Sequence, residues 1–103
     1  MFGLVARFTL KPDMGDEFDL LTRQTVSRVH SEPGTLTYAC HLVHSDPDAR
    51  LFYELYRDRA AFEEHERTDH VRRFLAERDR CLAGPPEVEF LTFQTGKGVP
   101  SLE

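Results

Sequence analysis

The spacing of apolar residues changes several times along this chain, and the order of the changes limits the folds it can adopt. Apolar residues alternate over residues 2–10, recur at helical spacing, and alternate again over 35–44 and 50–58. Two short helical segments and a last alternating segment at 88–93 follow. Alternation is typical of half-buried strands and a three-to-four-residue spacing of helices. The predicted order is β-α-β-β-α-β, which indicates an α+β, ferredoxin-like fold: a four-stranded antiparallel sheet with helices on one face.

Capping and turn residues separate these segments. Asp13 is expected to cap a first helix of about 18 residues, which Pro33 would end. Asp58 and Thr68 are expected to cap the two short helices. A hairpin turn is expected at 45–49, where Ser, Asp and Pro cluster.

Length and charge narrow the functions that we expect. The chain has 103 residues, enough for one small domain at 2–95 followed by a loose tail at 96–103. A formal net charge of -5 leaves no basic excess for binding nucleic acid. No apolar run is long enough for a membrane span, and Arg7 comes too early for a secretory signal. We therefore expect a cytoplasmic protein with no nucleic-acid or membrane partner, in which Cys40 and Cys81 are buried thiols.

The predicted strands carry apolar residues on both faces. In the segment 35–44, Tyr38 and Cys40 fall on one face, and Ala39 and Val43 on the other. Helices on one side of a sheet can cover only one of these faces. The simplest way to bury the second face is a homodimer that packs two sheets into an α+β barrel.

Candidate site residues concentrate in the stretch 53–70. His65 follows Ala61 and Phe62 at helical spacing, so it is either a core imidazole or one that faces a substrate. His70 lies in the first turn of the next helix, where the helix dipole favours a neutral imidazole; a solvated position is the alternative. The break between the two helices disfavours a metal site shared by these histidines.

Glu54 is a carboxylate on a strand predicted to be central. It lies between Phe52 and Tyr56 on one face, so it must be neutral, paired or beside a wet pocket. Arg7 on the first strand is a plausible partner. Either case places a polar group in an aromatic cavity, whose expected substrate-binding residues are Tyr38, Tyr53, Tyr56, Phe62, Arg7 and Phe74.

Several of these residues, taken in order, resemble the antibiotic biosynthesis monooxygenase (ABM) family, which includes quinol monooxygenases. The matching elements are Glu32-Pro33-Gly34, the run Phe52-Tyr53-Glu54-Leu55-Tyr56-Arg57-Asp58, Ala60-Ala61-Phe62, His65 and Thr68-Asp69-His70. The resemblance implies a ferredoxin-like homodimer with a pocket between helices and sheet in each subunit. It also implies oxygenation of phenols or quinols by dioxygen without a cofactor. A neutral histidine or a phenolate would suit deprotonation of such a substrate, and His65, His70 and Glu54 are the expected catalytic residues.

Departures from the family pattern narrow this expectation. Where the haem-degrading branch has an Asn, a Trp and a haem-ligating His, this chain has Ala6, His65 and Leu75, which speaks against haem degradation. Tyr56 and Phe62 stand where some aromatic-oxidising members have Trp and Tyr. The glycines form no phosphate cradle, and no set of side chains has metal-ligand spacing. We therefore expect no flavin, haem or metal.

The sequence thus predicts a small dimeric ABM-like enzyme that oxygenates an aromatic or quinol-like substrate with dioxygen. Two alternatives stay open. One is an isomerase of a small keto or phosphorylated signalling compound, which needs a cationic anchor such as Arg7 or Arg57. The other is a ligand-binding or interaction module without catalysis.

Overall fold

The structure is a computed structural model that describes residues 1–100. Residues 101–103 lie outside the described residues, so the tail expected at 96–103 is described only in part. Its described portion, 96–100, contains no helix or strand.

The elements follow the predicted order. They are β1 (Phe2–Thr9), α1 (Gly15–Val29), β2 (Thr35–Val43), β3 (Asp46–Tyr56), α2 (Arg59–Arg67), α3 (Asp69–Glu77), a 3₁₀ turn (Arg78–Cys81) and β4 (Glu87–Thr92). The strands form one antiparallel sheet in the order β2-β3-β1-β4. Buried residues from the helices pack on one face of it. The predicted α+β, ferredoxin-like fold is confirmed.

The caps predicted for the two short helices are confirmed. The side chain of Asp58 accepts a hydrogen bond from the amide of Ala61 at 2.8 Å. The hydroxyl of Thr68 accepts one from the amide of Val71 at 3.4 Å. Each bond satisfies an amide that has no partner within its helix.

The predicted start and length of the first helix are wrong. Asp13 does not cap α1: its φ of 68° places it in a left-handed turn, and Met14 holds the N-cap position without a side-chain bond. The helix has 15 residues and ends at Val29. The amide of Ser31 bonds to the carbonyl of Arg28 at 3.1 Å, so a tighter turn ends the helix before any proline is reached.

The predicted hairpin turn is also misplaced. The turn is at 44–45, and Asp46 already belongs to β3. The carboxylate of Asp46 accepts a hydrogen bond from the amide of Asp48 at 3.0 Å, so the turn-forming chemistry seen in the sequence acts within the start of the strand. The β2–β3 ladder is irregular between Leu42 and Val43, beside this turn.

An aromatic cluster fills the space between the sheet and the helices. The rings of Phe8, Phe18, Phe52 and Phe74 contact one another with centroids 5.2–6.3 Å apart. All four side chains are buried. Phe74, expected to bind substrate, is therefore a core residue.

The opposite face of the sheet, called the open face below, has no helix packed on it. It carries an apolar row of Val5, Leu51, Tyr53 and Leu91, as the register of β1 with β3 and β4 shows. Val5 and Tyr53 are direct neighbours across the central pair of strands, and both are half-buried. No helix within residues 1–100 combines the length and apolarity needed to cross a membrane.

Candidate functional site

Two histidines on neighbouring helices are joined by a carboxylate from a distant part of the chain. Glu32 lies in the turn between α1 and β2. Its Oε1 is 2.6 Å from Nδ1 of His65, and its Oε2 contacts Nε2 of His70. The hydroxyl of Thr35 also donates to Oε1, at 2.6 Å. One carboxylate therefore holds three polar side chains in place.

The Glu32-Pro33-Gly34 turn is packed closely against α2, and this contact brings Glu32 to His65. A Cβ on Gly34 would lie only 2.6 Å from the Cβ of Ala61, so a side chain would push the turn away from the helix. The amide of Arg57 also donates to the carbonyl of Gly34 at 3.0 Å. Glycine is needed here for close approach.

The surroundings of His65 favour its neutral form. Burial lowers its pKa below the ordinary 6.5, although the neighbouring Glu32 acts in the opposite direction. Burial alone would raise the pKa of Glu32, but hydrogen bonds from Thr35, His70 and His65 outweigh it and lower that pKa. A neutral His65 beside an ionised Glu32 donates from Nδ1, and its Nε2 is left as a proton acceptor.

The ring of His65 lies between two tyrosines. Its centroid is 5.2 Å from that of Tyr38 and 5.1 Å from that of Tyr56. Burial and the nearby Glu54 carboxyl raise the pKa of both phenols well above 10. Neither tyrosine is a phenolate at neutral pH, so of the two kinds of base expected, only the neutral imidazole is present here.

Glu54 lies behind this pair of tyrosines. Its Oε1 accepts a hydrogen bond from the Tyr56 hydroxyl at 2.5 Å. Burial raises the pKa of Glu54 to about 7, although the bond from Tyr56 opposes this shift. The carboxyl therefore titrates in the physiological range.

The suggested pairing of Glu54 with Arg7 does not form. Glu54 is opposite Leu4 in the sheet and faces the helices, whereas Arg7 is opposite Leu51 and belongs to the open face. Successive residues of a strand point to opposite faces of the sheet. Arg7 is three positions from Leu4 on β1, so its side chain lies on the face opposite to that of Leu4 and Glu54. Arg7 instead forms an ion pair with Asp46, with 3.7 Å between nitrogen and oxygen.

The remaining predicted substrate-binding residues lie in different environments. Tyr53 is on the open face. Phe62 packs its ring against Phe2, Tyr56 and Phe90, with centroids 5.2–5.9 Å away. Of the predicted substrate-binding residues, Tyr38 and Tyr56 are the two whose rings lie against the ring of His65.

A cavity of about 220 Å³ opens beside the Glu32 carboxylate. This volume is slightly below the range of pockets for drug-sized ligands, which suits a ligand of about one ring. Glu54 and the tyrosines are not part of its wall. The lining residues are Ser31, Glu32, Pro33, Gly34, Thr35, Ala61, Glu64, His65, Thr68 and His70.

Comparison with known proteins agrees with this fold and with the earlier resemblance. The sequence profile of the family described as antibiotic biosynthesis monooxygenase matches residues 1–77. The chain belongs to the ABM family.

Solved structures of similar proteins support this membership. A crystal structure of an antibiotic biosynthesis monooxygenase is 26% identical to this ABM chain, with a TM-score of 0.86 over 92% of this chain and 100% of that one. The crystal structure of a protein of Pseudomonas aeruginosa is also 26% identical, with a TM-score of 0.83 over 91% of this chain and 94% of its own.

The sequence of an uncharacterized protein of Synechocystis sp. is 31% identical to this chain over 80 residues. That match covers 78% of this chain but 54% of the relative, so this chain spans about half of that protein's length.

Two residues of this ABM site were not predicted as site residues. From the sequence, Glu32 is identified only as part of the Glu32-Pro33-Gly34 motif. The end of the first helix explains that motif without any role for Glu32 in the site. Arg78 follows Phe74 by one helical turn, and its guanidinium lies over the rings of Phe8 and Phe74, 5.2 and 5.9 Å from their centroids. Its Nε is buried and has no hydrogen-bond partner within the described chain. Burial lowers the pKa of Arg78, and the positive charge of Arg78 opposes part of the rise in the pKa of Glu54 that burial causes.

Among residues 1–100, no three or more His, Cys, Asp or Glu side chains are grouped so that they could hold a metal ion. The polar chemistry of the site is that of the Glu32 carboxylate, the two imidazoles, and the Glu54–Tyr56 pair behind them.

Proposed function

We propose that this protein is a cofactor-independent monooxygenase of a small phenolic or quinol substrate, with His65 as the general base. The carrying observation is that one carboxylate, Glu32, holds His65 and His70 at the wall of a one-ring cavity. A base must be both correctly protonated and fixed in orientation to take a proton efficiently. Burial keeps His65 in its neutral form, and the contact with Glu32 fixes the orientation of its ring.

The proposed reaction needs no reductant other than the substrate. Nε2 of His65 takes a hydroxyl proton from a quinol, and the resulting anion is electron-rich enough to reduce dioxygen. One oxygen atom forms a new C–O bond at a ring carbon that loses its hydrogen, the O–O bond breaks, and the second atom leaves as water. One quinol and one O₂ therefore give one hydroxyquinone and one water. The protein's part is to orient the substrate, exclude water and move the proton.

The other predicted catalytic residues support His65 in this proposal. His70 contacts the second carboxylate oxygen of Glu32, and the His70 side chain lines the cavity. Glu54 does not line the cavity, so we assign it a positioning role. Glu54 accepts a hydrogen bond from the Tyr56 hydroxyl and so holds the Tyr56 ring against His65.

We further propose that the protein functions as a homodimer. The apolar row on the open face includes Val5, Leu51 and Tyr53, in the two central strands where an uncovered apolar surface is most costly. A second copy packed on this face would bury the row on both subunits. This arrangement leaves the cavity accessible, because the cavity lies in the helix layer.

An isomerase of a small keto compound is the second candidate, and Arg78 is the observation that favours it. The two arginines suggested from the sequence are poorly placed to anchor a substrate in the cavity. Arg7 is on the open face, and Arg57 is exposed beside Asp58. Arg78 instead places a partly buried guanidinium near Glu54, where its charge opposes part of the rise in pKa that burial causes. A carboxyl that titrates near pH 7 beside a cation suits proton transfer next to a carbonyl.

Oxygen consumption with single-ring quinols tests the main proposal. We expect one O₂ consumed per quinol, one atom of ¹⁸O₂ in the product, and no release of hydrogen peroxide beyond uncatalysed autoxidation. Turnover of a keto compound without O₂ would favour the isomerase. Thermal stabilisation by these compounds without any turnover would favour a binding module.

A further inference from the structure

A second, larger depression lies between α1 and the junction of α2 with α3. We call it the arginine groove. Its volume is about 1180 Å³, and it meets the smaller cavity at Thr68 and His70, which line both. Four arginines line it. The lining residues are Leu21, Arg23, Gln24, Thr25, Ser27, Arg28, Arg67, Thr68, Asp69, His70 and Arg73.

The charge of this groove is opposite to that of the whole chain. The sequence has 18 acidic residues against 13 basic ones. Yet in the described part of the chain Arg23, Arg28 and Arg67 form no ion pair with a carboxylate. The fourth, Arg73, pairs with Glu77 and approaches the side-chain oxygen of Gln24 at 3.5 Å.

Within residues 1–100, one carboxylate lines the groove, that of Asp69 at the start of α3. Like charges gathered on an acidic protein repel one another unless an anion lies between them. Among the described residues, three guanidinium groups without an ion pair face one carboxylate, which leaves an excess of positive charge that a ligand can neutralise.

From this we propose that the arginine groove binds a small molecule carrying two or more phosphate groups. Guanidinium groups bind phosphate through paired N–H donors, and they lose less hydration in doing so than ammonium groups do. The three guanidinium groups without an ion pair reach the groove from two helices, Arg23 and Arg28 from α1 and Arg67 from α2. Their combined positive charge exceeds the negative charge of a single phosphate, so two or more linked phosphates neutralise it more completely. This site does not depend on the oxygenase proposal.

Calorimetric titration with inorganic pyrophosphate, at constant ionic strength and without any substrate, tests this site. We expect saturable binding of one pyrophosphate per chain, weaker binding of orthophosphate, and weaker binding of citrate. R28Q and R67Q should each reduce the affinity about tenfold, equivalent to about 1.4 kcal/mol. R72Q is the matched control, because Arg72 is exposed on α3, unpaired within residues 1–100 and outside the groove. It should change the affinity less than about twofold, since salt screens more distant charges.

Three results would overturn the proposal. The first is the absence of saturable binding to the wild-type protein at millimolar pyrophosphate. The second is an equal loss of affinity in R72Q and R28Q, which would mean that only overall charge matters. The third is citrate binding as tightly as pyrophosphate, which would remove the assignment to phosphate. All three variants lie at exposed positions, and thermal unfolding would verify that they fold.

Discussion

Tyr56 and Glu54 lie two residues apart on β3, and the Tyr56 hydroxyl donates a 2.5 Å hydrogen bond to the Glu54 carboxyl. Both side chains are buried on the helix side of the sheet. A carboxylate in such a place loses its hydration and gains only one hydrogen bond within the described chain, so the protonated form is favoured. The pair is therefore a buried group whose charge changes near neutral pH.

The first prediction concerns the pH dependence of stability. The pKa of Glu54 rises from 4.5 to about 7 on folding. The folded state therefore binds the proton more tightly, and this contribution to stability is complete below about pH 4.5 and is lost as pH rises through 7. E54Q keeps an acceptor for Tyr56 without the charge. Its free energy of unfolding in urea should exceed that of the wild type at pH 8, by at most about 3 kcal/mol.

The same comparison at pH 5 should show a much smaller difference. E63Q is the control, since Glu63 is exposed on α2, and its effect should be small and independent of pH. A difference between E54Q and wild type that does not change from pH 5 to pH 8 would contradict the raised pKa.

Local chemistry was predictable from the sequence only in part, since the Asp13 cap and the hairpin turn at 45–49 were predicted wrongly, and contacts between distant residues were not predictable. The caps at Asp58 and Thr68 depend on bonds three residues long, and they were predicted correctly. The role of Glu32 depends on contacts across 33 and 38 residues, which only the fold creates. The suggested pairing of Arg7 with Glu54 failed because the relative faces of two paired strands depend on their register.

The arginine groove shows a further limit of sequence reasoning. The net charge of -5 predicts no basic excess for binding nucleic acid. The fold nevertheless gathers Arg23 and Arg28 of α1 beside Arg67 of α2. Net charge is a sum over the surface, and it does not report how charges are distributed.

The second prediction concerns Gly34. G34A should destabilise the protein by about 1–3 kcal/mol, because the added methyl would lie 2.6 Å from the Cβ of Ala61 and force the turn or α2 to shift. The shift would also lengthen the contact between Glu32 and His65. G84A is the control, since a Cβ at Gly84 would meet no atom within 4 Å. Urea denaturation of both variants measures the effect, and equal stabilities would show that the turn is not tightly packed.

The third prediction concerns the proposed homodimer. Sedimentation of the wild type should give about twice the chain mass of 11.9 kDa. Y53E places a charge at the centre of the open face, opposite Val5, and should yield monomers or unfolded protein. L20E is the control: Leu20 is an exposed apolar residue of α1, 51% accessible, on the other side of the molecule. A wild-type monomer, or a folded Y53E dimer, would exclude this interface.

The fourth prediction concerns the base. H65A should stay folded and lose about 10²-fold or more in kcat with a quinol. In the wild type, kcat/KM should rise with pH through a pKa below 6.5, because burial lowers the pKa of His65 and only its neutral form accepts a proton. The Glu32 carboxylate opposes this effect of burial and raises the pKa of His65. E32Q should therefore shift the rise to lower pH, and it should reduce the plateau about 10–100-fold because the imidazole is less firmly oriented.

Glu64 supplies the matched control for this prediction. It lines the same cavity as Glu32, but within residues 1–100 it has no hydrogen bond to His65 or His70. E64Q removes the same charge without changing the orientation of the imidazole, so its plateau should stay within about twofold of the wild type, the scale of an exposed charge. If E32Q and E64Q shift the pH profile equally, the carboxylate acts only through its charge. If neither shifts it, His65 is not the group whose ionisation the profile reports, and the base must be sought at His70.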